Sequence, residues 1–307
     1  SSAASDVYKR QVDTEGDNLW EYKKGTPIGT ENAKYLPRFQ SLCEKYGFKP
    51  VYLTNYEMAS SDTFVTEVKK WLDKGNCEIG VHLHAWNNPP LVELPAKYDG
   101  NPYLIEYSDD VMRQKFDFIY NMITDRFGIK PVSHRAGRWA MDDRYFRILE
   151  EYGILVDCSH TPSVDWSKSM GSTQGGSDYT NVPNQVHNIG KVLEVPPTLR
   201  FMHHALSGSF KHRIKTLVKG EPVWLRPALE SCSAMKKVVD VVSKETQTDY
   251  LEFMIHSAEM MPGGSPYFRT EDSIEKMYLE MESFFKYVSE LGYKGCTLKE
   301  YYEIKIH

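Results

Sequence analysis

Between residues 31 and 159 the chain switches four times from helical to strand periodicity, with short connections each time. That rhythm restricts the fold more than any other feature, because regular helix-strand alternation calls for a parallel sheet, either a barrel or a doubly wound sheet. In 31–47, Leu36, Phe39, Leu42 and Cys43 recur at helical spacing, and Gly47 closes the helix. A short strand follows at 49–55. The stretch 60–75 opens on a Ser/Asp cap and places Phe64, Val65, Val68 and Trp71 on one face. The next elements are a strand at 77–84, a helix at 109–128, a strand at 130–137, a helix at 141–153 and a strand at 154–159. Asp142 and Asp143 suit the start of that last helix. The alternation returns after residue 228 with a helix at 228–247, a strand at 249–257, a helix at 270–292 and a last strand at 293–298.

Residues 160–190 break the pattern with a long loop rich in Ser, Gly, Asp, Asn and Thr, and loops of that length inside a domain are mostly functional or disordered. A strand is expected at 191–201, ended by Pro196 and Pro197, before an irregular stretch at 202–228. No linker divides two cores, so residues 12–307 read as one domain. The opening SSAASDVYKRQ has no apolar periodicity and reads as a non-native leader over 1–11, of the kind translated adapter sequence leaves.

The net charge is -5 and there is no long basic run, which argues against nucleic acid or an anionic membrane as partner. No apolar run reaches the ~18–20 residues of a membrane helix, and no signal peptide is visible. The five cysteines are scattered and include no CxxC, so neither a disulfide framework nor a structural zinc knot is expected.

Residues with chemical potential gather at the expected C-terminal strand ends, where parallel α/β folds place their catalytic groups. Asp13 and Glu15 in VDTEGD are two apart and share a strand face. Alone they could be a solvated strand end; two carboxylates on one face otherwise need a cation or a base role. His82 and His84 in EIGVHLHAW have the same spacing and can direct one nitrogen each toward a metal, although an isolated pair of this kind is more often a strand histidine and a loop histidine. In SHRAGRW, strand periodicity sets Arg135 toward the site and His134 into the barrel wall. A guanidinium there can hold a carboxylate. His256 ends the apolar strand MIHS, where it can donate a proton to a leaving group, oriented by Glu259 or Asp157. The alternative for His256 is a buried structural histidine. His203 and His204 are ambiguous, and His160 adjoins the long loop.

Taken in order, VDTEGD, EIGVHLHAW, SHRAGRW and MIHSAE resemble the motifs of the polysaccharide deacetylase family, the NodB-homology carbohydrate esterases, over roughly residues 12–300. The spacing departs from the familiar pattern. The first acids are separated by Thr14 instead of adjacent, and the histidines are two apart instead of four, with Trp86 at the fourth place, as in a divergent branch. The resemblance implies a distorted (β/α) barrel of about seven strands, analogous to the barrels that carry chemistry on strand-end loops. It further implies metal-dependent hydrolysis of a non-peptide carbon–nitrogen bond, releasing N-acetyl (or O-acetyl) groups from a polysaccharide or surface glycan. Glu15, His82 and His84 would bind a divalent ion, zinc first and cobalt or manganese as substitutes. Asp13 would be the base, Arg135 its holder and His256 the acid. Trp86, Arg138, Trp139, Trp166 and Tyr179 are the candidates for substrate contact. By resemblance the setting is a bacterial cytoplasm or cell envelope. A small-amide amidohydrolase is a weaker reading, since such barrels carry their HxH pair on the first strand. An inactive glycan-binding barrel would be expected to lack one of these acids or histidines.

Overall fold

The structure, a computed structural model, describes residues 7–203 and 220–306. Strands β1 (Val7–Thr14), β2 (Pro50–Thr54), β3 (Glu78–Leu83), β4 (Ser133–Ala136), β5 (Val156–Asp157), β7 (Val192–Glu194) and β10 (Tyr250–His256) are parallel and lie in the order β10-β1-β2-β3-β4-β5-β7. They form the strongly curled sheet of a distorted (β/α) barrel. The antiparallel strand β6 (His187–Ile189) extends it past β7, and β11 (Lys294–Gly295) pairs with the start of β1. No ladder joins β7 to β10. Instead Thr198 reaches across the gap: its N–H donates to the Glu252 carbonyl (3.4 Å) and its hydroxyl accepts from the Glu252 N–H (2.8 Å).

Helices α1 (Leu36–Lys45), α2 (Tyr56–Ser60), α3 (Asp62–Leu72), α4 (Asp109–Phe127), α5 (Asp143–Glu151), α6 (Cys232–Val242) and α7 (Glu271–Glu290) alternate with the strands, and α8 (Leu298–Ile306) follows β11. The expected face of α3 is buried, with Phe64, Val65, Val68 and Trp71 all inside. The side-chain oxygen of Asn55 accepts from Met58 N–H to start α2, and Ser61 recaps the chain at Phe64, which splits the region into two helices. Gly47 leaves α1 at φ +67°, the left-handed position that favours glycine.

Two apolar layers result. The larger lies between sheet and helices, and the smaller fills the barrel interior with Val7, Val51, Leu53, Val156, Leu193 and Tyr250, closed below by Leu298 and Tyr301 of α8. Burial of each such side chain contributes on the order of 1.5–3 kcal/mol. The interior face of β1 runs Val7, Lys9, Gln11, Asp13, passing from this apolar floor to the polar mouth.

Three expectations change. Pro196 and Pro197 end the ladder early, so the strand expected over 191–201 is β7 alone. Leu199–Met202 instead pairs with Glu221–Trp224, inside the stretch expected to be irregular, as β8 and β9 of a separate two-stranded sheet. The last strand shrinks to β11, because the chain turns into α8 to cover the barrel floor. Finally, Val7–Gln11, read as part of a leader, form the buried first half of β1. No helix among the described residues is long and apolar enough to cross a membrane.

Candidate active site

Strand register brings the distant motifs together. Asp13 pairs with His256 across β1 and β10, and His82 pairs with Arg135 across β3 and β4. All four lie at C-terminal strand ends. Asp13, Glu15, His82, His84 and His256 line one cavity of about 320 Å³, together with Trp20, Trp86, Arg138, Trp139 and Arg226.

Glu15, His82 and His84 offer donor atoms that all lie within 4.8 Å of one another. The His84 Nε2 is 2.8 Å and the His82 Nε2 3.6 Å from the Glu15 Oε2. His82 Nδ1–H donates to the Arg135 carbonyl at 2.9 Å, which turns Nε2 toward the cavity, where it faces Glu15 when protonated and offers a lone pair to an ion when not. Spacing two therefore suffices for convergence: one ring stands on the strand, the other one residue beyond it, with centroids 4.8 Å apart. Gly137 makes room for the second ring, since a Cβ there would lie 2.7 Å from the His84 Nδ1 and 2.5 Å from the Leu83 carbonyl oxygen. Two imidazoles and a carboxylate fit a divalent ion of zinc type, with room for a further ligand. Burial acts to raise the Glu15 carboxyl, but hydrogen bonds from His82 and His84 outweigh it and hold the group well below its usual range.

Asp13 is buried beside this group. Its Oδ1 accepts from the Arg135 Nη1 at 2.6 Å, and its Oδ2 lies 3.7 Å from the His256 Nε2. Burial pushes its carboxyl up, yet Arg135 and then His82 and His256 prevail, so the base candidate stays ionised. Arg135 is itself fixed, donating Nη2 to Glu252 Oε1 at 2.7 Å and Nε to the Cys158 carbonyl at 3.1 Å. Burial drives Glu252 up to about 8 despite Arg135. Asp13 is held low where Glu252 is driven up, so Asp13 is the carboxylate that the Arg135 charge favours. As periodicity required, His134 faces away: Asp157 and Tyr145 hold its two ring nitrogens at 2.6 and 2.7 Å. Asp157 is thereby committed to the wall, and the carboxylate beside His256 is Glu259, 3.3 Å from Nδ1.

Arg226 was not anticipated. Its Nη2 donates to Glu259 Oε1 at 2.5 Å and lies 3.1 Å from His256 Nδ1, so it sits between the histidine and the carboxylate. Burial would raise Glu259, but Arg226 and His256 overcome it and hold it at about 2. A lone arginine in the irregular run RPALES carries no periodic signal. Glu252 is more legible in hindsight, as the one acid inside the apolar strand YLEFMIH. Lys115 of α4 was missed as well. Buried, it donates Nζ to the carbonyls of Ala85, Asn88 and Pro90, and so pins the loop that follows His84.

The five candidates for substrate contact separate. Trp86, Arg138 and Trp139 line the cavity, and Arg138 and Trp139 adopt left-handed φ of 54° and 64°, unfavourable for side-chain-bearing residues. The Arg138 guanidinium is engaged with the carbonyls of Asn101 and Met170 and with Ser169 Oγ, clamping two loops. Trp166 and Tyr179 stand outside the described lining. Trp166 packs in the cluster behind Trp139, and the buried Tyr179 donates its hydroxyl to the Trp139 carbonyl, since the long loop folds under this wall. His160 stacks on Tyr179 away from the cavity, His203 lies just past β8, and His204 falls outside the described residues.

No protein-family model matches the chain, and no curated protein matches it in sequence. Among solved structures, a candidate polysaccharide deacetylase from Mycobacterium smegmatis superposes with TM-score 0.55 at 12% identity, over 99% of this chain and 92% of that one. The 4-alpha-glucanotransferase of Thermococcus litoralis also gives 0.55 at 10% identity, over 97% of this chain and 40% of that one. The Xyl-CE4 domain of a multidomain xylanase from the hindgut metagenome of Trinervitermes trinervoides gives 0.47 at 10% identity, over 98% and 91%. The chain has the fold of the polysaccharide deacetylases, the distorted (β/α) barrel of NodB-homology type.

Proposed function

We propose that the chain is a divergent polysaccharide deacetylase, a metal-dependent hydrolase that removes N-acetyl or O-acetyl groups from a polysaccharide or surface glycan. The observation that carries this reading is the convergence, in one cavity, of the Glu15–His82–His84 cluster, the Arg135-held Asp13 and the Glu259-held His256. Glu15, His82 and His84 would hold a divalent ion, zinc first and cobalt or manganese in its place. When bound, such an ion supplies Lewis-acid polarisation of the acyl carbonyl and a lowered water pKa. Asp13 takes the proton of the attacking water through Oδ2, the oxygen that Arg135 leaves open. Arg135 keeps that carboxylate ionised and in place. His256 delivers a proton to the departing sugar amine through Nε2, while Glu259 balances the charge at Nδ1.

Glycosyl transfer, which the glucanotransferase likeness raises, needs a carboxylic acid with a raised pKa facing a second carboxylate. Among the described residues the carboxylates lining the cavity are Asp13 and Glu15, and both are held below their ordinary values. That favours deacetylation. The test is acetate release from N-acetylated glycans by purified protein, with its metal content measured alongside. Acetate release that stops on chelation and returns with zinc supports the proposal. Bound metal without acetate from any acetylated glycan would point to a small-amide hydrolase, and no bound metal to a binding barrel.

A further inference from the structure

His82 and His84 are held in different ways. The His82 ring is fixed by its place in β3 and by the contact of Nδ1 with the Arg135 carbonyl at 2.9 Å. His84 lies one residue beyond β3, which ends at Leu83, so no ladder aims its side chain. Its Nε2 meets Glu15 at 2.8 Å, and among the described residues its Nδ1 has no hydrogen-bond partner. Histidines that bind metal are ordinarily oriented by a carbonyl or carboxylate on the other ring nitrogen. Gly137 gives the His84 ring space but no such bond. The direction of this ring must therefore be set by the backbone that carries it.

That backbone is held from α4. The Asn88 N–H donates to the His84 carbonyl at 3.1 Å and closes a turn. The Asn88 side-chain amide donates to the Lys115 carbonyl at 2.8 Å. In return the Lys115 ammonium donates to the carbonyls of Ala85, Asn88 and Pro90 at 2.9, 2.9 and 2.5 Å, which engages all three of its N–H groups. The Tyr107 ring centre lies 5.0 Å from the same nitrogen. Lys115 is fully buried on the face of α4 that also carries Met112, Phe116 and Ile119, and among the described residues no carboxylate pairs with it. A buried charge without a counter-charge is costly. What it supplies here, and an apolar side chain could not, is one point on which three carbonyls of the turn converge. We infer that Lys115 is a positioning residue for the metal: it fixes the 84–90 turn so that His84 Nε2 stays directed at Glu15 and His82. This rests on the reading of Glu15, His82 and His84 as metal ligands. A histidine pair at spacing two needs such a device, because its second ring has left the strand.

The test is the affinity of the metal-free protein for zinc and cobalt at neutral pH, measured by titration against a competing chelator. Lys115→Met should bind both ions about tenfold to a hundredfold more weakly, the usual cost of losing a group that orients a ligand. Lys115→Arg should fall between, since a planar fork cannot reach three converging carbonyls. Lys115→Ala should regain the larger part of its loss when n-propylammonium is added to fill the space of the missing side chain. In the His84→Ala background, where Glu15 and His82 remain, Lys115→Met should change affinity by less than about twofold, because its route to the metal is gone. Unchanged affinity in Lys115→Met, or a loss of equal size in both backgrounds, would overturn the inference and leave the metal reading standing, with Lys115 a support of the fold alone. No metal bound by the unaltered protein would overturn the metal reading and this inference with it. If Lys115→Met does not fold, Lys115→Arg decides in its place, and full affinity there overturns the inference.

Discussion

The two halves of β1 treat buried charge in opposite ways. Lys9, Arg10 and Gln11 are fully buried, and the Lys9 ammonium, the Arg10 guanidinium nitrogens and the Gln11 amide make no hydrogen bond. Their surroundings are ring faces: Lys9 Nζ lies 3.0 Å from the Tyr301 ring centre and the Arg10 guanidinium carbon 3.3 Å from that of Phe48. Burial pulls Lys9 down to about 8 and Arg10 to about 10. A few residues on, Asp13 and Glu15 are nearly as buried, yet each faces arginine or histidine and is held ionised. Burial of ionisable groups does not by itself mark a site; convergence on partners of opposite charge does.

The strongest way to break this contrast is at Arg135. A lysine cannot span both Asp13 and Glu252 with a planar fork. Arg135→Lys should therefore lower acetate release about a hundredfold or more while metal content stays the same; full activity would show that Asp13 needs no such partner. Arg226→Met should cost about tenfold to a hundredfold, through loss of the tie between His256 and Glu259. In the other half of the strand the sign reverses. Lys9→Met and Arg10→Met should each raise unfolding free energy by about 1–3 kcal/mol in urea titrations, because an unpaired buried charge is exchanged for an apolar chain. Destabilisation would mean the ring contacts outweigh the desolvation.

The smallest effect is in the pH dependence of stability. The Lys9 value is lowered in the folded state, so its charged form destabilises the fold, and that cost disappears as pH rises from about 8 to about 10.5. Glu259 has the opposite sense. Its value is depressed to about 2, so its contribution is present above about 4.5 and is lost as pH falls toward 2. Lys9→Met should flatten the alkaline slope of the melting temperature, and Glu259→Gln the acid slope. Unchanged slopes would contradict both assignments.

The same contrast separates what was legible in the sequence from what was not. Period two placed Asp13 with Glu15, His82 with His84, and Arg135 opposite His134, because strand geometry fixes the face of each side chain. Helix-strand alternation gave the parallel sheet, and the resemblance of the four motifs its closure into a distorted barrel. Arg226 and Lys115 stayed hidden, since each acts through hydrogen bonds between segments distant in sequence and no local periodicity reports such contacts. Trp166 and Tyr179 stand apart from the cavity lining for a related reason. The composition of the 160–190 loop suggested an open wall, whereas its hydrogen bonds fold it beneath Trp139.

The central claim is a division of labour at the mouth of β1, with Glu15 and the histidines holding metal and Asp13 acting on water. Metal stoichiometry and acetate release of His82→Ala and Asp13→Asn, measured side by side, test it most directly. His82→Ala should lose both metal and activity, whereas Asp13→Asn should keep its metal and lose about a thousandfold in rate. Equal metal loss in both variants, or an active Asp13→Asn, would contradict it.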